Sequence, residues 1–300
     1  MPYGAREGAR PRPGIETIDF SPTPPWTAAL LTSLAGLCVG SFLNVVIDRL
    51  PIMLRRQWRM HALETLNIEP PPASRFNLAT PRSHCPVCGS VVKALHNVPV
   101  LSWMVLRGRC AKCGSPIPVR LPAVELAGAA LAIAAIALWG FQWIALAYYV
   151  FLMVLLASAL IDAETTLLPD QLTLPLLWLG LLAATAFEAT PTLFDAMAGA
   201  VTGYLSLWLV YWAFRLVTRR EGMGYGDFKL MAAIGAWLGW QTVPAVILVA
   251  AVLGLVYAVV RILRRRATRG TPIPFGPFLA VAATAALFAS TRGITFVIVP

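Results

Sequence analysis

Residues 143–170 read WIALAYYVFLMVLLASALIDAETTLLPD. Nineteen residues without a charge end at Asp162, and Glu164 and Asp170 follow within eight positions. An uncharged apolar run of about 18 or more residues predicts a helix that crosses the hydrocarbon of a bilayer. A carboxylate at the edge of that hydrocarbon is costly to keep and points to function. This stretch sets the fold class, and the rest of the chain agrees with it. Of 300 residues, 58% are hydrophobic and only 13% are charged, about half the charged share of a soluble domain. Too few charges remain to coat a water-soluble surface, and the hydrophobicity is far too high for a disordered chain. The expectation is an all-α polytopic membrane protein.

Outward from that helix, a first apolar run at 26–47 and further runs at 123–140, 171–188, 193–214, 228–241, 243–262 and 273–290 bring the expected number of transmembrane helices to about eight. Residues 1–25 are rich in Pro, Gly and Arg and read as a flexible tail. No short apolar stretch with a small-residue cleavage site follows them, so a removed signal peptide is not expected. Residues 48–121 carry Pro, charge and four cysteines and read as a small soluble domain between the first and second spans. Its opening, RLPIMLRRQWRMHAL, suits either a helix lying on the membrane surface or a plain domain helix. Residues 122–300 form the membrane domain.

The charge is +10, from 24 Lys and Arg against 14 Asp and Glu. With eight spans, twenty of the 24 cations fall on one side: eleven in 48–121, four in 215–229 and five in 261–270. Such asymmetry marks the cytoplasmic face, so the soluble domain is expected in the cytoplasm and both termini outside. The same placement explains the basic excess without nucleic acid as a partner. Two basic loops flank 228–261, so an even number of crossings is expected between them, which supports the short span at 228–241.

Cys85-Pro-Val-Cys88 and Cys110-Ala-Lys-Cys113 are paired CxxC knuckles, each followed by Gly. Four thiolates at this spacing close a tetrahedral structural zinc site at about 2.3 Å with no open position for catalysis. Two disulfides or free thiols are the alternative. His84 and His96 are expected to be surface histidines, since four cysteines already fill the site.

Asp227 opens the run at 228–241, within GMGYGDFKL. The topology puts it and Asp162 at the cytoplasmic ends of their helices, so two residues 65 positions apart can meet at one depth. Two carboxylates that close share one proton, because like charges at short range cannot both ionise. The ionised one activates water and the neutral one polarises a scissile carbonyl, which is the minimal equipment of an aspartic protease. Gly222, Gly224 and Gly226 give the backbone room there. The competing reading makes the two aspartates helix caps or arginine partners. A phosphate loop is a poor fit to GxGxGD here, because a membrane helix precedes it and not a strand. Glu188 and Asp195 fall on the other side and read as loop charges.

Several segments resemble the type IV prepilin peptidases, bifunctional leader peptidase/N-methyltransferases of bacterial inner membranes. They are GSFLNVVIDRLP at 40–51, SHCPVC at 83–88, LRGRCAKC at 106–113, IDAETTLLPDQLTLPLLWLGLL at 161–182 and GYGDFKL at 224–230. The resemblance implies that Asp162 and Asp227 are the catalytic pair, with Asp227 in the GxGD motif of intramembrane aspartic proteases. It implies that Cys85, Cys88, Cys110 and Cys113 hold zinc, and that S-adenosylmethionine is the methyl donor. The implied substrates are type IV prepilins or type II secretion pseudopilins, cut after a short basic leader and methylated on the new N-terminus. It associates the segment through Gly108 with methylation, while no GxGxxG after a strand independently marks a donor site. A preflagellin-like peptidase without methyltransferase activity, and a non-enzymatic membrane assembly or transport protein, are the alternative readings.

Overall fold

The computed structural model describes residues 25–69, 75–93, 97–188, 190–220, 222–264 and 273–291. Nearly all of the expected tail, together with His96 and Arg292, lies outside them. The described residues are helical, with no strand longer than an isolated bridge. The helices are α1 (Pro25–Thr65), α2 (Leu101–Val105), α3 (Arg120–Trp139), α4 (Trp143–Thr165), α5 (Asp170–Ala186), α6 (Leu193–Thr218), α7 (Tyr225–Leu238), α8 (Val243–Leu263) and α9 (Gly276–Ser290), with a 3-10 turn (Trp240–Thr242) before α8.

Among the described residues, five helical stretches are long and apolar enough to cross a membrane: Trp26–Thr65, α3, α4, α6 and Trp240–Leu263. The helices α5 and α9 are apolar but shorter. The apolar helices carry many outward Leu, Val and Trp side chains, among them Leu31 of α1, Trp178 and Leu182 of α5 and Leu255 of α8, each more than 60% exposed. Apolar surface on that scale suits lipid and not water.

The first helix departs from expectation. It does not stop at Ile47 but runs on through Pro51 to Thr65, 41 residues in all. Its buried stripe Leu43, Ile47, Leu50 and Leu54 keeps helical spacing across the proline and carries the helix onward. At 1.5 Å per residue, α1 is about 62 Å long, twice the hydrocarbon thickness. Residues 48–65 thus continue the same helix, and this stretch holds the segment after residue 75: Arg49 donates to the Asn77 and Leu78 carbonyls at 3.0 and 3.2 Å, and Arg56 lies over the Phe76 ring.

Two cores meet at α4. Met153, Ala157 and Ile161 pack with α1 and α3, while Phe151, Leu152 and Leu155 pack with α5, α7 and α9. The central element is α7, whose residues from Phe228 to Trp237 are almost all buried. Its fourteen residues reach only about 21 Å. Trp237 stacks on Phe151 with ring centres 5.0 Å apart and donates its indole N–H to the Leu176 carbonyl at 2.8 Å. Helix α6 lies so near that a Cβ at Gly199 would sit 2.1 Å from the Gly235 carbonyl oxygen. Small residues that let backbones touch are a standard device of membrane helix packing. Asp195 is a fastener and not a free loop charge. It makes a reciprocal cap with Thr192 at the start of α6 and accepts hydrogen bonds from Trp240 (3.0 Å) and Gln241 (3.1 Å).

Candidate active site and metal centre

Asp162 lies in the last turn of α4 and Asp227 in the first turn of α7. Both are buried, at 5% and 6% exposure. They are near enough for the charge of Asp162 to be felt at Asp227. Asp162 Oδ2 accepts the backbone N–H of Gly276, the first residue of α9, at 2.8 Å. A carboxylate there meets the positive end of that helix. The approach requires glycine, because a Cβ at 276 would stand 2.8 Å from Oδ2.

Asp227 Oδ1 is buried and has no hydrogen-bond partner among the described residues, and the same holds for the hydroxyl of Ser158, one turn before Asp162 on α4. Unsatisfied buried oxygens are rare in folded proteins and ask for a reason. A carboxylate oxygen kept free of protein donors is available to water or substrate. The α7 turn is set by Gly226, where a Cβ would lie 2.6 Å from Leu168 Cβ. Aromatic rings wall it: Phe228 meets Tyr204, Tyr211 and Tyr225 edge-on within 6 Å.

Three ion pairs, made by two cations, fasten the rim. Arg120, opening α3, pairs with Asp48 of α1 and with Glu164 of α4, the latter at 2.9 Å. Lys229 reaches both oxygens of Asp170 at 2.7–2.8 Å, joining the first turns of α7 and α5. Glu164 stands two residues after Asp162, and Lys229 two after Asp227. Gly276 and Lys229 were not singled out from sequence. The proline-flanked Pro274-Phe-Gly-Pro277 at the start of a helix was the available signal for Gly276.

The four cysteines come together as a second site. Their sulfurs all lie within 4.8 Å of one another. Each knuckle is closed by one antiparallel bridge, His84 with Val91 and Arg109 with Pro116. Each turns on a glycine with positive φ, Gly89 at 68° and Gly114 at 71°. The backbone amides of Val87 and Cys88 face Cys85, as those of Lys112 and Cys113 face Cys110. Ser115 and these amides bring the Cys85 thiol down to about 6, and the amides lower Cys110. These two thiols are disposed toward the thiolate form that a metal binds, whereas Cys113 is shifted the other way. Cys85 Sγ and Cys113 Sγ are 3.8 Å apart. A tetrahedron of ~2.3 Å zinc–sulfur bonds has edges of roughly 3.8 Å, so the donor set fits zinc. His84 is exposed and its Nδ1 lies 3.1 Å from the Arg82 carbonyl, outside the cluster.

Gly108 is buried, with φ 67°. The Trp103 ring covers it, and a Cβ there would sit 2.9 Å from that ring. Its local role is to hold the turn. Residues 106–117 include no carboxylate that would suit a sulfonium ligand.

Fold and site together define a polytopic helical protein that keeps paired carboxylates inside its apolar core and a four-cysteine knuckle outside it. Residues 34–139 match the Bacterial Peptidase A24 N-terminal domain, and residues 149–259 match the Type IV leader peptidase family. The chain belongs to the type IV leader peptidase family. It is 49% identical to the "Prepilin leader peptidase/N-methyltransferase" of Stutzerimonas stutzeri and to that of Pseudomonas aeruginosa, each over 271 residues covering 90% of this chain and 93% of the relative. The Aeromonas hydrophila protein of the same name is 49% identical over 268 residues, 88% of this chain and 91% of its own. No solved structure matches.

Proposed function

We propose that this chain removes the leader peptide of type IV prepilins or type II secretion pseudopilins at the cytoplasmic face of the bacterial inner membrane, and then methylates the new N-terminus. One observation carries the peptidase reading: Asp162 and Asp227, from helices 65 positions apart, are both buried beside each other at helix ends, in a chain 49% identical to prepilin peptidases over 90% of its length.

In this reading one carboxylate takes a proton from water and the other donates to the scissile carbonyl oxygen. Water oxygen adds to the carbonyl carbon, the tetrahedral intermediate collapses, and the proton passes to the leaving amine. The Gly276 amide holds Asp162 in place, and the free Oδ1 of Asp227 faces the reaction space. Gly224 leaves open space beside Asp227 for a substrate backbone, while Gly226 lets the turn close on Leu168. Cys85, Cys88, Cys110 and Cys113 would hold zinc as a closed structural site. Bound S-adenosylmethionine supplies the methyl group, and the N-terminal amine that receives it must first lose its proton.

The topology proposed has residues 75–119 in the cytoplasm. Although α7 is short, its end reaches back to Asp195 at the start of α6 through Trp240, which supports α7 as a crossing. A prepilin held in the bilayer by its apolar helix would then present its cleavage point at the depth of both aspartates.

The test is purified full-length protein in lipid nanodiscs, given a purified prepilin with and without S-adenosylmethionine. The expected product lacks the leader in both cases and carries one added methyl only with the donor. Leader removal without methylation would favour the preflagellin-like reading. An intact prepilin would favour a non-enzymatic role.

A further inference from the structure

The short helix α2 sits at a depth where a water-soluble segment would not. Helix α3 has 20 residues and spans ~30 Å, the full thickness of the hydrocarbon, so it has no turn to spare in the cytoplasm. Its Arg120 end therefore stands at the headgroups, and Glu125 stands roughly 7 Å further along the axis. Glu125 Oε2 accepts the backbone N–H of Val100 at 2.7 Å. That bond fixes the start of α2 at the level of the first turns of α3.

Val100 has φ 60°, the left-handed region that a β-branched residue avoids. Such strain persists only where the surroundings hold it, and here Glu125 does. At the other end, Trp103 donates its indole N–H to the Ile117 carbonyl at 3.3 Å and lies over Gly108. Between these pins α2 turns its apolar residues away from the protein. Leu101 is 61% exposed, Met104 62% and Val105 80%, with Val98 and Val119 also exposed on either side. Exposed Arg107 and Arg109 follow immediately and form no ion pair with any described residue.

We propose that residues 98–109 are an in-plane membrane anchor. Leu101, Met104 and Val105 enter the boundary between headgroups and acyl chains of the cytoplasmic leaflet. Arg107 and Arg109 meet the phosphates of anionic lipids. Apolar side chains at that depth flanked by unpaired cations are the pattern of an interfacial segment. Glu125 is the buckle that sets its depth, which gives the one acidic residue of α3 a task. This inference is independent of the peptidase assignment and needs only that α3 crosses the bilayer.

The experiment replaces Val105, and separately Met104, by p-benzoylphenylalanine in the full chain. Each protein is irradiated in nanodiscs of phosphatidylethanolamine and phosphatidylglycerol and then examined by mass spectrometry. A lipid adduct is expected at both positions. Removing the buckle with Glu125→Leu should lower adduct yield about fivefold, the worth of one net hydrogen bond. Glu125→Gln, whose amide oxygen still accepts from Val100, should restore it, which separates the buckle from a general folding defect. Yield should also fall when phosphatidylcholine replaces both lipids. Three outcomes overturn the proposal: no lipid adduct at either position, adducts that Glu125→Leu leaves unchanged, or cross-links that form only to an added prepilin, which would make this face a protein-docking surface.

Discussion

The thiolate site and the carboxylate site are built in opposite ways. The four cysteines lie within 29 consecutive residues, in two turns of matching design, each with its own bridge and its own positive-φ glycine. Their surroundings are loops, and only Cys85 is buried. The aspartates come from distant parts of the chain and share no local motif. They are buried by α4, α7 and α9, and their setting is made of single contacts such as Gly276 with Asp162. A site closed by local turns can form from its own segment once a metal binds. A site assembled from helix ends depends on every contact that holds those ends. The contrast predicts that the two sites fail separately and by different routes.

The largest effect expected is from the carboxylates themselves. Asp162→Asn or Asp227→Asn should lower the rate of leader removal roughly 10²–10⁴-fold, the range for a lost general acid or base. Metal content should stay at the parental value, measured by elemental analysis of the purified protein. Cleavage persisting at near-parental rate in both variants would remove the peptidase reading, and metal loss in either would end the separation of the two sites.

Next comes the glycine that lets α9 approach. Gly276→Ala leaves the N–H donor and helix propensity intact but puts a Cβ 2.8 Å from Asp162 Oδ2. A displacement of catalytic groups near 1 Å can cost about a hundredfold in rate, and a loss of that order is expected in kcat with the melting temperature little changed. A parental kcat would mean that the Gly276 contact plays no part in catalysis.

The metal knuckle should show the reverse pattern. Cys85→Ser should release the metal and make residues 75–119 sensitive to limited proteolysis, because structural zinc contributes on the order of 10 kcal/mol to such small folds. Leader removal should fall by less than about tenfold, well below the loss from either aspartate variant. A fall matching that of Asp162→Asn would show that the carboxylate pair depends on the knuckle after all.

The same contrast explains what could be read from the sequence. Metal-ligand spacing and the apolar runs are local, so the cluster of Cys85, Cys88, Cys110 and Cys113 and the helical class were legible. So was the place of Asp162 at the end of one helix and of Asp227 at the start of another. The continuation of α1 to Thr65 was not, since Pro51 and three arginines look like a boundary until the buried stripe through Leu54 is seen. Gly276 and Glu125 were missed for a different reason. Each acts through a partner 114 or 25 residues away, and nothing in its own neighbourhood announces the contact.

The smallest effect expected is at the rim, where the contrast can be drawn most finely. The Lys229–Asp170 pair is exposed, with a third to a half of each side chain in contact with the surroundings. Exposed pairs are worth about 0–1 kcal/mol, so Lys229→Ala should hardly move thermal stability. Yet the pair joins the turn that carries Asp227 to the helix that follows the Asp162 loop, and Gly226 against Leu168 is the neighbouring contact between the same segments. A strut of this kind acts on geometry more than on stability. Lys229→Ala should lower kcat several-fold with KM nearly unchanged, consistent with about 1 kcal/mol lost in the transition state alone. The exchanged pair, Lys229→Asp with Asp170→Lys, should recover much of that loss. If the exchange recovers nothing while each single variant is impaired, Lys229 or Asp170 acts on the substrate directly. If neither single variant changes kcat, the carboxylate pair needs no strut at its rim, and burial by α4, α7 and α9 is enough to hold it.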